Sequence, residues 1–494
     1  MRQTGQFADL GRAVRHRDPF IGGSFLRGEG EILPVENPAT EQVIAEVRQC
    51  SPGQLDQAVR AARAAFRSGV WKDPDRRSEV LLVLADALEE REAELRSLLV
   101  QEVGTPVSLC EPLQIGGPVA MIRDLAMRTK LDRTRALGPD GKVPSSESIV
   151  KYEPVGVVAG IGAYNYPLTF VVSKAVAAMA AGCAAVYVPS PQTPLATLLF
   201  ADIASRAGVP AGILNILVGG ADIAAALSLH PGVDKVSFTG SVEVGRKVMA
   251  QAAQGIRDVV LELGGKSAGL VLPGADIGEI AMLLHARYIR NCGQGCQSPT
   301  RIFVPEDRFE DFIDVSRDVY ARVRVGDPWD PETIAGPLIS KAHRARVEGF
   351  VGRALAAGGR LLLGGGRPGI GRGWYINPAL IGNVGNDSEL ARNELFAPVA
   401  MVTPYKTLDE AIGLANASGY GLAAHVYGPQ ETAMDVADRL EAGSIFINGG
   451  GLTRVESVLC GWKQSGIGSE WGEDGLREFL VPKHIQWKLS SIVH

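Results

Sequence analysis

The chain has 494 residues, 50 Lys and Arg against 55 Asp and Glu, a formal net charge of −5, and 46% hydrophobic residues. These figures exclude wholesale disorder and leave no electrostatic footprint for nucleic acid or an anionic membrane, and six scattered cysteines are too few for a disulfide scaffold. Gly is high at 59 residues. Average usage of about 7% predicts about 35, so the surplus is either flexible filler or the mark of close backbone approach.

At roughly 100–200 residues per domain, this length predicts two to four domains. Met1–Arg17 is charged throughout and has no apolar core, so no signal peptide is expected, and the expected compartment is the cytoplasm. Two helical stretches follow, Ser51–Gly69 and Pro74–Val103. Arg133–Glu153 has strand-forming residues but little local core and reads as an extended arm. From Pro154 to Ser173 there is no Asp, Glu, Lys or Arg, a length that suits a membrane span. Pro154, Pro167, Asn165 and glycines 156, 160 and 162 break any helix there, so a membrane span is not expected. The run reads instead as strand Val155–Ile161, loop Gly162–Pro167 and helix Leu168–Ala181, followed by strand Ala184–Val188.

The alternation continues through helix Leu195–Ala207, strand Ile213–Val218, helix Ile223–Leu229, strand Lys235–Phe238, helix Val242–Ala253 and strand Val259–Leu263. It resumes with helix Ile277–Arg290, strand Thr300–Val304, and helices Glu306–Val323 and Ser340–Ala357. Strands alternating with helices at this spacing predict an α/β fold of two doubly wound, Rossmann-like domains, with a boundary near Gly264–Gly265. The tail Phe479–Ile492 reads as a second extended arm.

Three motif matches are decoys. Gly364–Gly369 has the spacing G-x-G-x-x-G, but Pro368 and a strand-like Trp374–Ile381 follow it where a helix should open, so a hairpin turn is expected. Gly264–Ser267 resembles the end of a phosphate-binding loop, but the first glycine of that motif would have to be Val260. Cys292 and Cys296 lack a nearby His or acidic set, so no metal site is expected.

Chemistry concentrates in three segments. Ile161–Leu168 (IGAYNYPL) is a loop after a buried strand, with Asn165 at its turn. Leu261–Ser267 (LELGGKS) ends a strand with Glu262 beside two glycines. Asn291–Arg301 (NCGQGCQSPTR) holds Cys296 on a glycine-flanked turn, 34 residues after Glu262. Together with Phe238–Gly245 (FTGSVEVG), Glu394–Val399 (ELFAPV) and Trp462–Gly468 (WKQSGIG), they resemble the NAD(P)-dependent aldehyde dehydrogenase superfamily, from about Phe20 to Trp487.

The resemblance implies that Cys296 attacks an aldehyde carbon, that Asn165 helps to hold the resulting oxyanion, and that Glu262 activates water to hydrolyse the thioester. The residue types suit these tasks, since a thiolate is a strong nucleophile, an amide can donate to an oxyanion and a carboxylate can take a proton from water. NAD, with NADP possible, is the implied cofactor, held by Tyr164, Gly220, Gly240, Ser241, Glu394 and Phe396. Residues 1–130 and 153–263 would form the cofactor domain, 264–465 the catalytic domain, and 131–152 with 466–494 an oligomerisation arm and tail of a homodimer or homotetramer. Lys174 reads as an ordinary lysine or as one lying near Glu262.

Two regions depart from the family pattern. Where members typically read Lys-Pro-Ser-Glu, this chain reads Val188-Pro189-Ser190-Pro191, so both side chains that clamp the adenosine ribose are missing. NAD with poor discrimination against NADP is the expectation. Asn448–Leu459 (NGGGLTRVESVL) is small and glycine-rich where aromatic residues are frequent. With Tyr166, Phe170, Gln297, Thr453 and Leu459 as substrate contacts, it predicts a wide mouth for a bulky, mostly apolar aldehyde. Arg454 could instead anchor the carboxylate of a semialdehyde, although Glu456 beside it suggests a local ion pair. A CoA-acylating enzyme and a non-catalytic family member are the remaining alternatives.

Overall fold

The computed structural model describes residues 16–142, 145–450 and 454–489. Five parallel strands form the heart of the first sheet: Val157–Ile161, Ala184–Val188, Leu214–Ile216, Lys235–Thr239 and Asp258–Glu262. Numbered along the chain, they lie in the order 3-2-1-4-5, so the winding reverses between Val157–Ile161 and Lys235–Thr239. Helices cover both faces, and the strands are correspondingly apolar and buried throughout most of their length. In open α/β sheets, ligands bind at the carboxyl ends of the strands where the winding reverses.

A second sheet takes the order 360–364, 379–382, 399–405, 301–305, 268–271, 423–427 and 444–447. All its pairings are parallel except that of Arg360–Gly364 with Ala379–Gly382. Gly364, Gly365 and Gly366 follow that edge strand with φ of 65°, 86° and 72°. The glycine run thus ends one strand and opens the long connection to its antiparallel neighbour at Ala379, so it is neither a nucleotide fingerprint nor a tight hairpin turn, and left-handed backbone there favours Gly.

A third, three-stranded sheet joins Arg135–Pro139, Ser146–Pro154 and Leu480–Lys488 in antiparallel pairing. The segment from 466, grouped with the tail from sequence, divides. Gly466–Ile467 adds an edge strand to the first sheet against Leu261–Glu262, and only Leu480–Lys488 lies in the arm.

Several expected elements shift. Pro74–Val103 is two helices, Pro74–Glu90 and Glu92–Glu102, broken at Arg91 (φ −104°, ψ 19°). No Gly or Pro marks that break; the Arg91 guanidinium is held by Glu94 and Asp202, a distant partner invisible to local pattern. The helix expected over Leu168–Ala181 starts at Pro167 and widens into a π-type stretch over Val172–Val176. Of Trp374–Ile381, only Ala379 onward pairs as a strand. Helix Gly116–Arg128 was not expected, and Leu408–Asn416 and Gln430–Arg439 continue the alternation of the second sheet. Among the described residues no helix is long and apolar enough to cross a membrane.

Candidate active site

The first sheet ends in two segments on either side of its reversal. Val157–Ile161 runs into the loop carrying Tyr164, Asn165 and Tyr166. Lys235–Thr239 runs into Gly240 and Ser241, and Ser241 caps helix Val242–Ala253 by accepting from the Val244 N–H at 3.3 Å. Gly240 donates its N–H to the Glu262 carbonyl at 3.1 Å, which ties this turn to the next strand.

Cys296 lies on the loop that enters Arg301–Pro305, and this loop exists in its present path because of glycines. A Cβ on Gly265 would sit 2.4 Å from the Cys296 carbonyl oxygen, and one on Gly264 would sit 2.3 Å from Glu394 Oε2. A Cβ on Gly293 would fall 2.1 Å from the Ala397 carbonyl carbon. Asn291 and Cys292 also have positive φ, 52° and 53°, so the turn before the thiol is strained as well as crowded. Part of the glycine surplus is therefore close approach, here of three chain segments to one another.

Asn165 is buried, and its amide is fixed. Its Nδ2 donates to the Gln294 carbonyl at 2.9 Å, which leaves the second amide hydrogen available. Its own carbonyl accepts from Gln114 Nε2 at 2.8 Å. Gln114 also donates to Thr105 Oγ1, and Thr105 donates to Asn291 Oδ1. Gln294 Oε1 accepts from the Tyr164 hydroxyl at 3.0 Å and from the Ile339 N–H at 2.9 Å. This buried network holds the Asn165 loop to the Cys296 loop. Gln114, Thr105, Asn291 and Gln294 were missed in the sequence, because nothing local marks a polar side chain as buried.

Glu262 ends strand Asp258–Glu262 at 4% exposure, and its Oε1 has no hydrogen-bond partner. Burial, and then the nearby Glu470 carboxylate, push its pKa well above the ordinary carboxylate range, while Lys174 pulls the other way. Lys174, in the π-type stretch, is fully buried and ion-paired with the buried Glu470. It is therefore not an ordinary lysine but part of the Glu262 surroundings. Its signal was a single Lys in an otherwise uncharged, apolar helix, where burial requires a partner.

The Cys296 thiol is half-buried and sits among acids. Burial first, then Glu394 and Glu262, push its pKa up to about 12, while the backbone N–H groups of Cys296 and Gln297 oppose them. Glu394 is raised to about 7 by burial, against the Gly265 N–H it accepts at 3.1 Å and the cation of Lys266. Phe396 has φ of 58° and meets Tyr164 edge-on, ring centroids 5.8 Å apart, and its carbonyl contacts His343 Nε2 at 2.8 Å. Gly220 opens helix Ala221–Leu229 and gives its N–H to Gln49 Oε1 at 3.2 Å; Gln49 in turn donates to Asp222 at 2.7 Å. Gln49 and Asp222 carried no sequence signal.

The expected substrate contacts are less uniform. Tyr166 is half-buried, its hydroxyl 3.8 Å from where a Cβ on Gly295 would stand. Phe170 is mostly buried in the core, its ring 5.6 Å from the Lys174 ammonium, and the Gln297 carbonyl contacts His425 Nε2 at 2.9 Å. Leu459 pairs across from Glu470. Thr453 lies outside the described residues. Arg454 is 77% exposed and paired with Glu456, so it is an ion pair on the surface. Among the described residues no group of His, Cys, Asp and Glu could hold a metal ion.

Known proteins resemble this chain along nearly their whole length. The sequence model described as "Aldehyde dehydrogenase family" matches residues 25–485. A geranial dehydrogenase of Castellaniella defragrans is 36% identical over 479 residues, 96% of this chain and 99% of that protein. An aldehyde dehydrogenase of Bacillus cereus superposes with a TM-score of 0.94 at 33% identity, over 98% of both chains. One from Pseudomonas syringae, solved with NAD+ and octanal, gives 0.90 at 33% identity, over 95% of this chain and 96% of that one. With a family model spanning most of the chain and full-length similarity to relatives and solved structures in agreement, the chain belongs to the aldehyde dehydrogenase family.

Proposed function

We propose that the protein oxidises an aldehyde to a carboxylic acid with NAD or NADP, through a thiohemiacetal and then a thioester on Cys296. The observation that carries this reading is that a buried network ties the Asn165 loop to the Cys296 loop, with Glu262, at the end of its strand, close enough for its charge to act on the thiol. The residues present suit a dinucleotide. The helix N-terminus at Ser241 offers N–H groups to a pyrophosphate, Glu394 offers a carboxylate to ribose hydroxyls, and Tyr164 and Phe396 offer ring surface. When bound, it supplies a two-electron acceptor for the hydrogen leaving the thiohemiacetal carbon.

The protein's own groups account for the other steps. The Cys296 thiol gives up its proton to solvent, its sulfur forms a bond to the aldehyde carbon, the carbonyl π pair moves onto oxygen, and the free amide hydrogen of Asn165 with nearby backbone N–H groups holds that oxyanion. One such donor contributes about 3–4 kcal/mol in related acyl chemistry. Glu262, with its unpartnered Oε1 and raised pKa, takes a proton from water. The hydroxide adds to the thioester carbon, the C–S bond breaks, and the sulfur leaves as thiolate. That carboxylate favours hydrolysis over transfer to a CoA thiol, since it activates water beside the thioester.

Two further features belong to this reading. Val188 is buried and Pro191 cannot clamp a ribose, so NAD should be used with poor discrimination against NADP. The exposed Val481, Ile485 and Trp487 on the arm strand support a homo-oligomer assembled through it. The deciding experiment follows absorbance at the reduced-nicotinamide band with a panel of aldehydes and both cofactors. Turnover lost in Cys296→Ala supports the reading, and no turnover with any aldehyde despite cofactor binding overturns it. A strong NADP preference would remove the cofactor part alone.

A further inference from the structure

Cys296 and Gln297 form the corner of a turn that the Ser298 N–H closes on the Gly295 carbonyl at 3.2 Å. The peptide unit that carries this N–H also carries the Gln297 carbonyl, which points the other way and meets His425 Nε2 at 2.9 Å. One peptide plane just after the thiol is therefore held on both edges. Turning that plane turns the Gln297 backbone, and with it the N–H that faces the sulfur. Before the thiol, Asn291 and Gln294 tie the same loop to Asn165. His425 holds it after the thiol.

His425 comes from the second sheet. It stands in the middle of the buried strand Ala423–Tyr427, and its ring stacks on that of Phe446, its register partner on the next strand, with centroids 5.0 Å apart. A carbonyl only accepts, so the ring proton sits on Nε2, and Nδ1 is a bare lone pair without a partner among the described residues. Burial first pushes the His425 pKa down to about 3, against the Gln297 carbonyl, and the Arg287 and Arg290 charges add to the fall. The Tyr427 ring lies parallel on its other neighbour in the strand, 6.5 Å away. The imidazole is thus neutral near pH 7, and what it gives the loop is one fixed N–H. An apolar side chain would fill this space without leaving a buried acceptor bare, so packing alone does not account for a histidine here.

We propose that His425 is a positioning residue for the nucleophile: its Nε2–H holds the Gln297 carbonyl so that the Cys296 and Gln297 N–H groups stay aimed at the sulfur. Those two N–H groups favour the thiolate against burial, Glu394 and Glu262. The imidazole acts through the loop and not on the reacting atoms. The proposal rests on the reading of Cys296 as the nucleophile and adds to it a residue of the second sheet.

The test follows alkylation of Cys296 by iodoacetamide across the pH range in which thiols ionise, read by peptide mass spectrometry, in the wild type, His425→Met and His425→Gln. Met and Gln have nearly the same shape, and only Gln can donate to the carbonyl. In His425→Met the alkylation rate near neutral pH should fall about three- to tenfold, the range for one hydrogen bond, and its pH profile should move upward. The kcat/KM for an aldehyde of the panel should fall in step, while the KM for cofactor stays in place. His425→Gln should recover most of both losses. A Met variant alkylated like the wild type, or a Gln variant as impaired as the Met variant, overturns the positioning role and leaves aldehyde oxidation standing. If His425→Met does not fold, His425→Ala takes its place, since the strand already carries Ala423 and Ala424. Turnover that survives complete alkylation of Cys296 removes the nucleophile itself, and the positioning role with it.

Discussion

The two sides of the reacting centre differ in how their polar groups are compensated. Around Cys296 and Asn165 the side chains that set the geometry have partners inside the protein: Asn165 has Gln294 and Gln114, Gln294 has Tyr164 and Ile339, and Lys174 has Glu470. Beyond Cys296, His425 donates to the Gln297 carbonyl, while its Nδ1 has no partner among the described residues. A compensated network fixes geometry before substrate arrives, which is what stabilising a developing charge requires. Releasing the single bond from His425 leaves that network whole, so the two sides can be tested apart. Glu262 differs from both, since it is buried with Oε1 unpartnered, as suits a group whose partner is a transient water.

The comparison can be broken at several points. The largest loss is expected at the nucleophile: Cys296→Ala should lower turnover by about four orders of magnitude or more, read as reduced-cofactor production under saturating aldehyde. Glu262→Gln should leave a first-turnover burst while slowing steady-state turnover about 10²–10⁴-fold, since only deacylation needs the base. Rapid mixing separates the two, and loss of the burst would place Glu262 in the first half of the reaction. Asn165→Ala removes one oxyanion donor and should cost about 10²–10³-fold in kcat with little change in cofactor binding.

The pH profile sharpens the comparison further. Glu262 must be ionised to accept a proton, and burial followed by Glu470 raises its pKa. Deacylation should therefore rise with pH through a window above the ordinary carboxylate range. Glu470→Gln removes the like charge and frees Lys174 to favour the ionised form, so the rise should move to lower pH. A rise that stays in place would mean that Glu470 does not act on the base. The smallest effect is expected at Arg454→Ala, because an exposed pair with Glu456 contributes about 0–1 kcal/mol. Its kcat/KM for oxo acids should change less than about twofold.

The backbone architecture was largely legible in the sequence. The uncharged run from Pro154 resolves into strand, loop and helix because its prolines and glycines punctuate it, and helix Val242–Ala253 has the bounds its periodicity predicts. Glu262, Cys296 and Asn165 were legible for the same reason: each sits at a strand end or glycine-flanked turn that local residue types announce. The break at Arg91 was not, since no Gly or Pro marks it and the Arg91 guanidinium is held by Asp202, 111 residues away.

What the sequence by itself determined was the order of strands and helices; it also pointed to the loop of the proposed nucleophile and to Val188 and Pro191 as the proposed departure from a ribose clamp. Local periodicity, turn chemistry and residue type are enough for these. Tertiary structure alone decided which polar groups are compensated. Lys174 meets Glu470 across 296 positions, Arg454 is paired at the surface, and His425 reaches the Gln297 carbonyl across 128 positions. Whether such a group is silent or structural depends on its desolvation and on neighbours far away in the chain, which no sequence window contains.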